Sequence, residues 1–364
     1  MAKLLSPVVL APRGVPSRRM AYASPVFAIV LTLLFGALLF LALGKDPVAG
    51  LKVFLVDPLK DKRAIGEVLL KTVPLVLCAL GLSICYRANV WNIGADGQLI
   101  LGGIFAGATV LWFDSPGNTT SGFTVLVLAS LAGCLGGMAW ASLTALLKDR
   151  FNANEILVSL MLTYIAQQLL LWVVNGPLKD PNGMNFPQSR VFAQAFLLPN
   201  LLPGSRLHMG FAVMLVLVVV MTVFVFRSFA GYRLQVGGTA PLAARYAGFS
   251  SRSSLWTALL VSGAFAGLAG AFEVTGPIGQ LLPSISPGYG FTAIIVAFVG
   301  RLHPVGAVFG GVVMSLFYIG GEMAQSRLGL PSALGWVFQG MLLFFLLACD
   351  TLIDNRLRWR ARAA

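Results

Sequence analysis

The run FAVMLVLVVVMTVFVF (Phe211 to Phe226), the segment GYRLQVGGTAPLAARYAGFSSR (Gly231 to Arg252) and the run LWTALLVSGAFAGLAGAF (Leu255 to Phe272) together decide the fold class. Each apolar run is long enough, at about 1.5 Å per helical residue, to cross most or all of a hydrocarbon core of about 30 Å. The basic, glycine-rich interruption between them therefore sits at one membrane face. It carries Arg233, Arg245 and Arg252, with Arg227 just before it, and no acid. By the positive-inside rule that face is cytoplasmic. The plain alternative is a charged loop that only sets topology.

Working outward, the same pattern fills the chain. Of its 364 residues 57% are hydrophobic and only 11% charged, and the mean hydropathy is +0.85, whereas soluble domains are about one-quarter charged. A formal net charge of +13 would suggest a nucleic-acid partner in a soluble protein. Here the lysines and arginines gather in short loops beside apolar runs, where they orient the chain, so nucleic acid is not an expected partner. Cys78, Cys85, Cys134 and Cys349 lie inside apolar runs without metal-site or disulfide spacing and read as small buried hydrophobes. Lys3, Arg13, Arg18 and Arg19 precede an apolar run from about Pro25 to Leu43, longer than a signal-peptide core and without a convincing cleavage site, so it reads as an uncleaved first span. The chain has 40 glycines, against about 25 at average usage. Pairs at small-xxx-small spacing, Gly103/Gly107, Gly133/Gly137, Gly263/Gly267 and Gly306/Gly310, predict closely packed membrane helices.

The expected fold is therefore all-α: a polytopic helical membrane protein of about ten spans, both termini cytoplasmic. The spans fall near 24–44, 65–86, 92–112, 122–147, 155–174, 210–227, 254–273, 288–301, 304–321 and 334–352. Residues 1–364 read as one transmembrane domain, with cytoplasmic tails at 1–23 and 353–364, a long external loop at 175–209 and a cytoplasmic loop at 228–253. That topology puts sixteen of the 26 Lys and Arg inside. The segment Lys45 to Lys71 runs against it, and its alternation of apolar and charged residues predicts a short helix on the outer surface. Only RLHP (Arg301 to Pro304) separates the eighth and ninth spans, so one of them is open to being a half-membrane or re-entrant element. The 175–209 loop reads either as a docking surface or as a connector.

No catalytic constellation and no metal site emerge: there are two histidines, His208 and His303, no HExxH, no nucleophile elbow and no GxxxxGK[ST] loop. No cofactor is expected in this chain. The most unusual polar cluster within the apolar runs is NVWNIGADGQLILGG, Asn89 to Gly103. Asn92, Asp96 and Gln98, with Gly94 and Gly97 permitting an interrupted helix, are the expected lining of a solute pathway. The competing reading puts Asp96 at the cytoplasmic interface, balanced by Arg87, with the glycines only packing. Asn152, Asn154 and Glu155 read as a helix start, and Glu273 and Glu322 as markers of outer span ends.

The motifs RANVWNIGADGQLILGG, NEILVSLMLTYIA (Asn154 to Ala166) and GGTAPLAARYAGFSSR followed by SGAFAGLAGAFE closely resemble permease subunits of ABC importers in the branched-chain amino acid and simple-sugar permease superfamily. The resemblance covers roughly Ile65 to Leu352, and its nearest branch is the nucleoside or simple-sugar permeases. It implies a permease in a bacterial plasma (inner) membrane that moves a small polar solute, a nucleoside or simple sugar, into the cell alongside a second permease subunit, two cytoplasmic ATP-binding subunits that hydrolyse the ATP, and an external substrate-binding lipoprotein. By the same resemblance Pro241, Leu242, Ala243, Ala244, Arg245, Tyr246, Ala247 and Gly248 are similar to the coupling helix that docks on the ATPase. Ala240 departs from the polar residue that relatives often carry before the proline, which leaves capping to Thr239. The rival readings are a branched-chain amino acid permease of the same superfamily, a stand-alone ion-coupled transporter using Asp96, and a membrane scaffold that moves no solute.

Overall fold

In a computed structural model that describes residues 8–15, 17–115 and 119–359, the apolar runs become helices. The elements are β1 (Val8–Pro12), α1 (Arg18–Ala42), α2 (Pro47–Leu51), α3 (Lys62–Arg87), α4 (Ala95–Phe113), α5 (Gly122–Phe151), α6 (Glu155–Asn175), α7 (Gly210–Arg227), α8 (Phe229–Thr239), α9 (Pro241–Tyr246), α10 (Ser251–Glu273), α11 (Tyr289–Val299), α12 (Pro304–Leu328), α13 (Leu334–Asp354) and β2 (Asn355–Trp359). Among the described residues nine helices are long and apolar enough to span a bilayer: α1, α3 to α7, α10, α12 and α13. The all-α fold class is as expected.

The eighth expected span is different. α11 has 11 residues, about 16 Å of helix, half of a hydrocarbon core. The chain before it, residues 279–288, is irregular and repeatedly bent. Leu281 lies against Gly107 and Ile285 against Gly103, and Ser286 and Gly290 bond to Asp96, so residues 279–288 descend antiparallel to α4 before α11 begins. Unpaired backbone is tolerated at that depth only when protein covers it. Here Ser189 pairs with Leu281, its N–H donating to the Leu281 carbonyl (3.0 Å) and its hydroxyl accepting from the Leu281 N–H (2.8 Å). α11 ends in two consecutive left-handed residues, Arg301 and Leu302 (φ 56° and 55°), which turn the chain into α12.

The described chain forms two compact units. In the unit of residues 61–315, α3 is buried along most of its length, and α10 packs on α4 and α5 through glycines. A Cβ on Gly137 would stand 2.1 Å from the carbonyl oxygen of Gly263, and one on Gly267 would stand 2.1 Å from that of Gly133. These are the small-xxx-small pairs expected from the sequence, and backbone meets backbone there. The 175–209 loop is largely non-helical and is stitched to residues 275–281: besides the Ser189 pair, Phe192 N–H donates to Gly279 O (2.9 Å) and Leu198 N–H to Thr275 O (2.9 Å).

In the unit formed by residues 1–60 and 316–364, Phe40, Phe54, Phe317 and Phe338 make the core, Phe54 and Phe338 stacking at 4.2 Å. The expected surface helix over Lys45 to Lys71 is corrected here. α2, a π turn at Lys52–Val56 and a 3-10 turn at Asp57–Leu59 carry the first part, and Phe54 points into the aromatic core. Asp57 is buried and paired with Lys60 and Arg327. Its hydrogen bond from Lys60 outweighs burial, and with Arg327 nearby holds the carboxyl below its ordinary value. The last part, from Lys62 on, belongs to α3. Neither terminal segment is wholly irregular: β1 and β2 pair antiparallel, Val8 opposite Trp359 and Pro12 opposite Asn355.

Candidate functional site

After α3 the chain reverses through Asn89 (φ 55°) and runs without regular structure to α4. Asn92 is 0% exposed. Its side-chain oxygen accepts from Gly94 N–H (2.9 Å), and its amide nitrogen donates to Gln98 Oε1 (3.1 Å) and to Ser262 Oγ on α10 (3.0 Å). Gln98 returns a bond from Nε2 to Asn92 Oδ1 (3.3 Å). Asn92 and Gln98 are thus brought together, with Ser262 as a third member that lay 164 positions beyond Gln98 and carried no signal in the sequence. Gly94 and Gly97 serve close approach to α6: a Cβ on Gly94 would meet Ser159 at 2.9 Å, and one on Gly97 would meet the Thr163 backbone at 2.8 Å.

Asp96 faces a different neighbour. It is 4% exposed, and its Oδ1 accepts from Ser286 Oγ (2.6 Å) and from Gly290 N–H (2.9 Å). Ser286 also accepts from the N–H groups of Gly288 (3.1 Å) and Tyr289 (2.9 Å). A carboxylate supplied by α4 therefore caps the first turn of the half-length α11, where free N–H groups and the helix dipole favour negative charge. Arg87 does not balance Asp96; its bonds go to Leu302 and Gln235.

A second polar chain was missed in the sequence. Lys71 Nζ donates to Tyr289 Oη (2.8 Å), and Tyr289, fully buried, is hydrogen-bonded to buried Glu273. Lys71, Tyr289 and Glu273 link α3, α11 and α10 next to the Asp96 cap. One turn before Lys71 on α3, Glu67 forms a bidentate pair with Arg206 (2.9 and 2.7 Å). Glu273 had been read as a span-end marker and Lys71 as part of a surface segment. The available signal was Lys71 embedded in the apolar run VLLKTVPLVL with Glu67 four residues earlier. Near the same end of the unit, burial pushes His208 down to about 4, and its Nδ1 accepts from Gly210 N–H (3.1 Å).

At the opposite end, α8 and α9 form the interruption between α7 and α10. Pro241 stands at the first position of α9, where its missing N–H costs nothing. Thr239 is not the cap: Ala240 occupies that position without a side-chain bond, and Thr239 Oγ1 donates back to Gln235 O (2.9 Å). The hydroxyl is spent on its own helix because α8 runs through Thr239. Ala244 is the buried residue of α9, whereas Pro241, Ala243, Arg245, Ala247 and Gly248 are exposed, Leu242 is 83% exposed and Tyr246 97%. Gly248 ends the element at φ 79°, a conformation that suits glycine. Phe249 then anchors it edge-on against Phe229 and Tyr232 (5.8 and 6.4 Å). A cleft of about 250 Å³ lies beside α9, lined by Val90, Leu242, Arg245 and Leu255 among others.

Residues 64–347 match the family described as "Branched-chain amino acid transport system / permease component". A glucose ABC transporter permease protein of Haloferax volcanii is 34% identical, over 94% of this chain and 91% of the relative. A guanosine ABC transporter permease protein of Bacillus subtilis is 31% identical over 85% and 88%. A nucleoside ABC transporter permease protein of Lactococcus lactis is 26% identical over 88% and 89%. With nine bilayer-length apolar helices among the described residues and a family match that runs from α3 into α13, the chain belongs to the permease component family of the branched-chain amino acid transport system.

Proposed function

We propose that this multi-pass permease imports a neutral, hydroxyl-rich solute, a nucleoside or simple sugar, across a bacterial plasma membrane as one half of an ATP-driven transporter. Its partners are a second permease subunit, two cytoplasmic subunits that bind and hydrolyse ATP, and an external substrate-binding lipoprotein. Pro241 to Gly248 form the coupling element, within a cytoplasmic loop at 228–253, and both tails lie on that side. The observation that carries the reading is α9 itself: a six-residue helix that exposes Leu242 and Tyr246 at the basic end of the bundle. Large exposed apolar side chains in a polar setting mark a protein contact. The named activities of the glucose, guanosine and nucleoside relatives support the solute class over amino acids.

The solute pathway is assigned to the layer containing Asn92, Gly94, Asp96, Gly97 and Gln98, extended by Lys71, Glu273 and Tyr289. This layer surrounds the start of a broken crossing, the place where membrane transporters bind polar solutes. In the present conformation it is closed by its own hydrogen bonds, so solute passage requires α4, α10 and α11 to separate. The test is uptake of labelled guanosine and glucose by vesicles holding the complete transporter, with Arg245→Glu as the variant. Charge reversal is expected to weaken ATPase binding and to lower uptake about ten-fold or more. Unchanged ATPase binding and uptake would remove α9 from the interface, and uptake by the isolated chain under an ion gradient would replace the whole reading.

A further inference from the structure

Arg87, the last residue of α3, gathers four elements around one guanidinium. Its Nε donates to the Leu302 carbonyl in the elbow between α11 and α12 (3.0 Å), and its Nη1 donates to Gln235 Oε1 on α8 (3.0 Å). Gln235 Nε2 in turn donates to Val225 O near the end of α7 (2.7 Å). The guanidinium carbon lies 5.1 Å from the centroid of the Phe226 ring, and Phe226 stacks on His303 of the same elbow at 4.9 Å. The backbones close up as well: a Cβ on Gly238 of α8 would stand 2.0 Å from the Arg87 carbonyl oxygen.

The chemistry of this junction suits a transmitted movement. The recorded partners of Arg87 are two neutral oxygens and a ring face. Its charge is complemented by the carbonyl end of α3 and by the ring quadrupole. Neutral acceptors can be moved together with the guanidinium, whereas separating a buried ion pair would strand a charge. The planar fork also fixes two acceptors at a set angle, which an ammonium does not. The elbow it holds is conformationally costly, with Arg301 and Leu302 both left-handed, so an outside bond helps keep it in place.

We propose that Arg87 is a positioning residue of transport: it ties α8 to the elbow of α11, so that a displacement of the coupling segment moves α11, whose other end carries the Asp96 cap and Tyr289. The proposal rests on the reading of α9 as the coupling helix. It gives Arg87 a role beyond membrane orientation, which any cation would serve.

The experiment uses the complete transporter in vesicles with wild-type, Arg87→Lys, Arg87→Gln and Gln235→Leu permeases. ATPase co-purification, ATP hydrolysis and uptake of labelled guanosine and glucose are measured per assembled complex. Both Arg87 variants are expected to keep the ATPase bound and hydrolysing while uptake per ATP falls about ten-fold, with Gln235→Leu falling less. The Arg87→Lys, Gln235→Leu double variant should fall no further than Arg87→Lys alone, since both remove one link. Full uptake per complex by Arg87→Lys overturns the proposal, because charge alone then suffices. Additive losses in the double variant overturn it too. If Arg87→Gln does not assemble, Arg87→Lys and Gln235→Leu decide the outcome. If the wild-type chain neither binds ATPases nor needs them, the coupling reading itself has failed; if Arg245→Glu loses the ATPase while Arg87→Lys transports normally, the Arg87 proposal alone has failed.

Discussion

At the scale of single residues, the glycines of α5 and α10 are among the positions least open to replacement. Gly267 lies so close to Gly133 that a side chain would have to push a carbonyl oxygen away, and packed backbone yields less readily than a flexible side chain. Gly267→Val is expected to cost about 3 kcal/mol or more, measured as a large drop in the thermal midpoint of the detergent-purified protein; a shift of under a degree would contradict the packing described. His208 gives a pH signature. Its folded pKa is about 4, below the ordinary 6.5, so between those values the unfolded chain binds the extra proton. The stability His208 contributes is present above pH 6.5 and is lost as the pH falls toward 4. By pH 5 the loss is about 2 kcal/mol. His208→Asn, which keeps an acceptor for Gly210 N–H, should flatten the decline in thermal midpoint between pH 7.5 and pH 5. An equal decline in both proteins would place the titration elsewhere.

At the scale of elements, α11 shows how a helix too short to span a bilayer is held at a fixed depth. Its first turn is capped by Asp96 of α4 and Ser286, its first residue is tied to Lys71 of α3, and its last turn meets Arg87 through Leu302. Asp96→Asn retains an acceptor oxygen but loses the charge that favours the helix start, so a loss of about 1 kcal/mol is expected. Substantial ATP-driven uptake should survive, whereas Asp96→Ala, which removes the acceptor altogether, should do worse in both stability and transport. Abolished uptake in a well-folded Asp96→Asn protein would instead make the carboxylate a proton-carrying group.

Much of this element was legible in advance. The short spacer RLHP marked 288–301 and 304–321 as the doubtful pair of spans, whereas the interruption expected within Asn89 to Gly103 does not fall at Gly97, because α4 runs unbroken from Ala95 to Phe113. The partners were not legible, because Asp96 meets Gly290 and Lys71 meets Tyr289 across about two hundred residues, and hydropathy carries no information on pairing. The start of α3 was misplaced for a local reason. Lys62 and Arg63 open its first turn just after Lys60, so the charge pattern looked like surface helix while the chain had already entered the long helix that carries Lys71 inward.

At the scale of the whole molecule, nine of the ten expected spans return as bilayer-length helices among the described residues, because apolar run length is dictated by bilayer thickness. The terminal strands were not, since VVLAP and NRLRW are too short and too far apart to announce their register. The family match covers nearly all of α3 to most of α13 and leaves out β1, α1, α2 and β2, so the pairing of β1 with β2 is a feature of this chain outside the matched region. The 175–209 loop is held by backbone bonds to residues 275–281, which makes it an ordered cover over the broken crossing.

That broken crossing bears on a question of parity. The nine bilayer-length helices among the described residues would alone leave the two ends in different compartments. If the irregular stretch 279–288 followed by α11 makes a tenth passage of two unlike halves, the even number returns the chain to the side where it began. The antiparallel register of Val8–Pro12 with Asn355–Trp359 requires the same thing independently, since strands cannot pair through a bilayer. Reporters fused to either end of this permease are therefore expected to share one compartment, and opposite signals from the two ends would contradict that strand pairing.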